Sequence, residues 1–177
     1  MSNTIIGKMV SLLPITMEDT ELIVRWRNNP NVLHNFVFRQ TFTNEMHIDW
    51  MNTKVATNKV VQFIIQDNES KEKIGSVYLR DIDNNFRSAE YGIFIGEDDF
   101  RGKGYGSEAA RLIVDYAFKN LNLHRIFLRV LKKNCAAIRS YKKVGFVVEG
   151  IAKDMVYLDD EYHDIIFMSI INGEESE

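Results

Sequence analysis

Arg101-Gly102-Lys103-Gly104-Tyr105-Gly106 is the stretch on which the reading of this chain turns. It stands between a segment rich in β-branched and aromatic residues and one in which Ala109, Leu112, Ile113, Tyr116 and Ala117 recur at helical spacing. A strand therefore runs into a helix through three glycines, which let the backbone turn sharply and approach a ligand closely. The unpaired N–H groups of the helix start and its dipole favour phosphate oxygens, and Arg101 and Lys103 add positive charge. A pyrophosphate-bearing ligand suits this chemistry; a purely structural glycine turn is the alternative.

Other phosphate loops fit less well. A dinucleotide fingerprint G-x-G-x-x-G needs glycine at position 107, which is Ser107, and no G-x-x-x-x-G-K-[ST] loop occurs. The strand before the loop closes a series of strands, so the βαβ context of a dinucleotide fold is missing.

Working outward, Val60 to Asp67, Lys73 to Asp81 and Arg87 to Gly96 read as three antiparallel strands, separated by polar turns at Asp67-Asn68-Glu69-Ser70 and Asp83-Asn84-Asn85. Before them come a strand over Lys8 to Pro14, a helix capped by Thr16 that carries Leu22, Ile23 and Trp26, and a helix after Thr43 with Met46 and Trp50. Asn28-Asn29-Pro30 should end the first helix, because the residue before proline is pushed away from helical angles. After the loop come a helix from about Gly104 to Asn120, a strand His124 to Leu131, a helix Cys135 to Val144, and two strands on either side of Leu158-Asp159-Asp160-Glu161. This order predicts an α+β domain with a mixed sheet.

With 177 residues, 45% hydrophobic and 27% charged, the chain suits one core, so residues 1–177 are expected to form a single domain. The acidic end 173–177 is expected to fray. A net charge of -3 gives no general attraction to nucleic acid. Met1 to Lys8 lacks the pattern of a secretory signal and no apolar run approaches the roughly 18 residues of a membrane span, so the expected location is cytoplasmic. His34, His47, His124 and His163 show no metal-ligand spacing, and no metal is expected. The single Cys135 lies in no nucleophile motif and is expected to be a packed thiol.

Two motifs in order make a sharper statement than either alone. Arg101-x-x-Gly104-x-Gly106 resembles the [Q/R]-x-x-G-x-[G/A] acyl-CoA loop of the GNAT superfamily of N-acetyltransferases, and it stands between that family's fourth strand and third helix. Downstream, Asn134-Cys135-Ala136-Ala137-Ile138-Arg139-Ser140-Tyr141-Lys142-Lys143-Val144-Gly145-Phe146 is similar to its N-x-x-A-x-x-x-Y-x-K-x-G-F segment. The style is that of the branch holding ribosomal-protein N-terminal and spermidine acetyltransferases.

The resemblance implies a mostly antiparallel mixed sheet, flanked by helices, in which the family's fourth and fifth strands splay to admit the pantetheine arm of acetyl-CoA. Backbone of Ile93, Phe94 and Ile95 would bind the pantetheine, and amides of Arg101, Gly102, Lys103, Gly104, Tyr105 and Gly106 the pyrophosphate. Asn134 would hold the cofactor arm, and Tyr141 would protonate the leaving thiolate. A phenol of ordinary pKa about 10 can donate to a thiolate whose conjugate acid lies at about 8.5. Ile138, Tyr141 and Val144 as a plain core stripe is the competing reading. A homodimer is also implied, and a non-catalytic acyl-CoA-binding module is the alternative of another class.

Alternation places Glu90, Gly92 and Phe94 on one strand face, with Glu90 beside a small residue that would leave room for substrate. In several members of the family a glutamate on this strand receives the amine proton; a satisfied structural carboxylate is the other reading. A lysine-like amine is neutral in about one molecule in 10³ at pH 7, a penalty of roughly 4 to 5 kcal/mol, against about 1 kcal/mol for an α-amine, so a base matters more for the former.

The acceptor is expected to be a small-molecule amine or a protein N-terminus, without nucleic acid or membrane. The segment Leu22 to Val32 and Thr43 to Met51, with Val148-Glu149-Gly150 and Tyr162-His163-Asp164, is similar to acetyltransferases of nucleotide-linked 4-amino sugars. In that case Arg25, Arg27 and His34 would meet the nucleotide phosphates; arginines solvated or paired on a helix are the alternative.

Overall fold

A computed structural model describes residues 3–173, so the tail predicted to fray lies outside the described residues from position 174 onward. Two short strands, β1 (Ile5–Ile6) and β2 (Val10–Pro14), lead into the helices α1 (Thr20–Asn28), α2 (Pro30–Leu33) and α3 (Asn44–Trp50). The three predicted central strands form as β3 (Val60–Asp67), β4 (Lys73–Asp83) and β5 (Ser88–Ile95). They are followed by α4 (Tyr105–Lys119), β6 (Arg125–Leu131), α5 (Cys135–Val144), β7 (Val147–Leu158) and β8 (Glu161–Ile171).

All eight strands join one open sheet in the order β1-β2-β3-β4-β5-β6-β8-β7. Every neighbouring pair is antiparallel except β5 and β6. That parallel pair is short: Ser88 pairs Arg125, Ala89 pairs Ile126, Glu90 pairs Phe127, and pairing then stops. The implied splay is therefore present, with the β5 edge from Tyr91 onward turned toward a gap.

The sheet has an apolar layer on each face. Ile113, Ala109 and Ala117 of α4 pack with Val77, Leu79, Ala89 and Tyr91 on one side. Ile23 and Trp26 of α1 pack with Ile64, Tyr78 and Phe94 on the other. Pro30 does more than end α1: Asn29 is extended and accepts the Asn31 N–H, so Pro30 opens α2, where its missing N–H costs nothing. No helix among the described residues is long and apolar enough to cross a membrane.

Candidate acyl-CoA and acceptor site

The glycine loop is built as its composition demands. Gly102 and Gly104 hold φ values of 73° and 94°, the left-handed region that side chains resist. A Cβ at either would meet nothing within 4 Å, so the space around the loop is open to a ligand. The first intrahelical bond of α4 runs from the Glu108 N–H to the Gly104 carbonyl, which leaves the amides of Tyr105, Gly106 and Ser107 ahead of it without helical partners. At Gly106 a Cβ would make ordinary van der Waals contact with Ile93 at 3.8 Å and Ile95 at 3.9 Å, so the start of α4 lies against the end of β5 without space alone demanding glycine there.

Arg101 behaves differently from its expectation as a phosphate-facing charge. Its Nε and Nη2 donate to the Ile95 carbonyl at 3.1 and 2.9 Å, Nη2 also pairs with Asp98, and its own N–H donates to the Asp98 carbonyl. It ties the loop to the end of β5, and the amides open to a ligand begin after it. Lys103 is exposed.

The second motif is equally physical. Asn134 caps α5, its Oδ1 accepting the Ala137 N–H at 3.2 Å, while its side-chain N–H₂ has no partner among the described residues. Gly145 ends the helix at φ 114°, the Phe146 N–H closes onto the Tyr141 carbonyl at 3.0 Å, and Phe146 is driven into the core. Ser107 and Ser140 hydroxyls, 2.8 Å apart, lock α4 to α5. Tyr141 is thereby held edge-on to Tyr91 (5.7 Å) and Phe146 (6.0 Å) at the side of the gap. Burial, and next the neighbouring Tyr78, push the Tyr141 phenol well above its ordinary pKa. It stays protonated throughout the physiological range.

Glu90 does lie on the predicted face, but the room beside it is filled. A Cβ at Gly92 would fall 2.5 Å from the Tyr78 hydroxyl, because the Tyr78 ring lies across this glycine. Arg129, two residues past the last β5–β6 pair, donates to Glu90 through Nε (2.9 Å) and Nη2 (3.1 Å), and Arg80 adds Nε (3.1 Å) and Nη2 (3.0 Å). Burial alone would raise the Glu90 pKa; the bonds and charges of the two arginines outweigh it and hold the carboxyl below its usual range. Of the two readings of Glu90, the geometry matches the satisfied structural carboxylate, which stitches the sheet where backbone pairing ends.

A test follows from that geometry. Glu90→Gln is expected to lower unfolding stability at pH 7 by about 1 to 3 kcal/mol, less than a fully buried pair because both arginines are partly exposed. A depressed carboxylate pKa contributes stability above the unfolded value of about 4.3, lost as pH falls through the folded pKa. The wild-type advantage in urea titrations should therefore shrink below about pH 4. Equal stability of the two proteins at pH 7 would return Glu90 to the role of a free base.

The residues expected to hold nucleotide phosphates do not converge. Arg25 is exposed and paired with Glu97, and His34 is exposed on α2's C-terminal side, its carbonyl accepting from Arg39. Only Arg27 turns inward, its guanidinium over the rings of Phe36 (4.2 Å) and Phe42 (4.8 Å). Cys135 is exposed rather than packed, since the first residue of α5 faces away from both cores. Among the described residues no group of three or more His, Cys, Asp or Glu gathers as metal ligands would. Tyr78, Arg80 and Arg129 were absent from the sequence expectations; the available signal was a tyrosine and two arginines inside otherwise apolar strands.

Comparison with known proteins agrees with this geometry. The model of the acetyltransferase (GNAT) domain family matches residues 10–147. Spermidine N(1)-acetyltransferase of Escherichia coli (strain K12) is 32% identical over 162 residues, 91% of this chain and 85% of that protein. The putative ribosomal N-acetyltransferase YdaF of Bacillus subtilis (strain 168) is 30% identical over 132 residues, 71% of this chain and 67% of that one. A crystal structure of spermidine N-acetyltransferase from Vibrio cholerae, in complex with CoA and spermine, superposes with a TM-score of 0.86 at 28% identity, covering 93% and 96% of the two chains. None of these three names carries an amino-sugar acceptor. The splayed sheet, the glycine loop at α4 and the whole-chain similarity place this protein in the GNAT acetyltransferase family, as an acetyl-CoA-dependent N-acetyltransferase.

Proposed function

We propose that the chain acetylates a primary amine on a small molecule, with Tyr141 as the general acid. The observation that carries this reading is a half-buried tyrosine, Tyr141, packed edge-on to Tyr91 where the pairing of β5 with β6 has stopped. Acetyl-CoA supplies an activated acetyl group as a thioester. The amides of Gly102 to Ser107 hold its pyrophosphate, the β5 edge at Ile93 and the side-chain N–H₂ of Asn134 orient its arm while the Ile95 carbonyl is taken by Arg101, and Tyr141 delivers a proton to the departing sulfur. Glu90, committed to two arginines, holds the frame, and water takes the amine proton.

A polyamine acceptor is the second reading, favoured by the spermidine acetyltransferases among the relatives; a protein N-terminus is the third, favoured by the ribosomal relative. The exposed apolar residues Val147, Ile151, Met155, Tyr157 and Tyr162 on the last hairpin support self-association as a homodimer. Thiol release from acetyl-CoA, followed with 4-amino-sugar nucleotides, spermidine and short peptides bearing free N-termini, tests the reaction. An acetylated product of one class is expected; thiol release without any acetylated amine would overturn the proposal.

A further inference from the structure

One pair of hydroxyls joins the two motifs of this chain, and its chemistry is only half used. Ser107 belongs to the first turn of α4 and Ser140 to the middle of α5; both are half-buried, and their oxygens stand 2.8 Å apart. A hydroxyl carries one proton and two lone pairs. Whichever of the two donates, one O–H is left over by the contact, and neither hydroxyl makes another hydrogen bond among the described residues. A hydroxyl on a helical segment can return its proton to the carbonyl one turn back, as Thr53 does to Asp49 at 2.7 Å. Ser140 instead reaches across to α4.

The surroundings make the spare proton useful. Ser107 lies among the amides at the start of α4 that have no helical partner, since the first intrahelical bond there is from the Glu108 N–H to the Gly104 carbonyl. The charged side chains of the loop are spent elsewhere or point outward. Arg101 is committed to the Ile95 carbonyl and Asp98, Glu108 accepts the Met9 N–H at 2.8 Å, and Lys103 is exposed. Neutral N–H and O–H donors therefore carry much of the anion recognition at this helix start. A hydroxyl that accepts a hydrogen bond becomes a better donor, and a bond to an ionised acceptor is about twice as strong as one between neutral groups. An anion on these amides thus favours one direction of the pair. With Ser140 donating to Ser107, the Ser107 proton is free to meet a phosphate oxygen; in the opposite direction Ser107 has only lone pairs to present, which an anion repels.

We propose that Ser140 is a positioning residue for acetyl-CoA: from α5 it donates to the Ser107 hydroxyl and so directs the Ser107 proton to the pyrophosphate. This rests on the acyl-CoA reading of the glycine loop, and neither the acceptor amine nor the role of Tyr141 enters it. A second link between the helices, from Arg111 Nη2 to the Lys143 carbonyl at 3.1 Å, does not involve the pair, so loss of the Ser140 hydroxyl leaves α5 tied to α4.

The experiment titrates CoA calorimetrically into wild type, Ser140→Ala, Ser140→Thr, Ser107→Ala and the double alanine variant, with cooperative thermal unfolding as the check that each is folded. Ser140→Ala is expected to bind CoA about three- to tenfold more weakly, with Ser140→Thr within about twofold of wild type because the hydroxyl is kept. Adding Ser140→Ala to Ser107→Ala should change nothing further, since the hydroxyl that Ser140 directs is already gone. In thiol-release kinetics with the amine that the chain acetylates, the KM for acetyl-CoA should rise in the same ratio while kcat is kept, as for an interaction equally strong in ground and transition states. A link that merely seats α5 would instead lower kcat through Tyr141 and leave CoA affinity unchanged. That outcome, equal CoA affinity of wild type and folded Ser140→Ala, or losses that multiply independently in the double variant, overturns the assignment. CoA affinity that depends on Ser140, without transfer to any amine, leaves this inference standing and removes the proposed function.

Discussion

Replacing Tyr141 by phenylalanine is expected to lower kcat about 100-fold or more while acetyl-CoA affinity and stability stay close to wild type. The substitution removes only the hydroxyl. The ring keeps its edge contacts with Tyr91 and Phe146, and the α5 cap at Asn134 and the Gly145-Phe146 turn are untouched. The proton to the leaving sulfur must then come from water, which is not held in place as the phenol is. Because the Tyr141 pKa is raised, the acid form persists as pH climbs, so wild-type kcat should rise as the amine deprotonates, without a falling limb below about pH 10. Stopped-flow thiol release and CoA titration separate the two effects. Unchanged turnover in Tyr141→Phe would remove Tyr141 from the chemistry.

The second large effect is on the fold. Trp26→Ala is expected to cost about 3 to 5 kcal/mol, a large part of the 5 to 15 kcal/mol by which a domain is stable. Trp26 is 1% exposed, meets Phe94 edge-on at 6.2 Å, and lies against Gly96, where a Cβ would fall inside its indole ring. Its Nε1 donates to Glu97 at 2.7 Å, the carboxylate that also pairs with Arg25. Truncation opens a cavity under the end of β5 and frees the segment that enters the glycine loop, so the KM for acetyl-CoA should rise as well. Urea unfolding measures the first effect; a loss under about 1 kcal/mol would mean that the site collapses around the missing ring.

Much of this was legible in the chain because the signals are local. The three glycines, the Asn134 cap and the Gly145-Phe146 stop each specify a backbone angle or a hydrogen bond within a few residues of themselves, and α4 and α5 formed where the spacing put them. Alternation placed Glu90, Gly92 and Phe94 on one face correctly. It said nothing about what that face meets, and the expected space at Gly92 proved to be the seat of the Tyr78 ring from the adjoining strand. Arg101 misled for a related reason: positive charge in a phosphate loop suggests a ligand, but its partner is the Ile95 carbonyl six residues back.

Sequence by itself thus determined the order of the elements from β2 on, apart from the short α2 opened by Pro30, together with the glycine turn into α4 and the family, since periodicity, caps and left-handed turns are set by neighbours along the chain. Only the tertiary structure decided which charged groups meet on the face of the sheet that carries Glu90. Glu90, Arg80 and Arg129 come from three different strands, and whether such groups neutralise one another depends on distances across the sheet, which one-dimensional spacing does not encode.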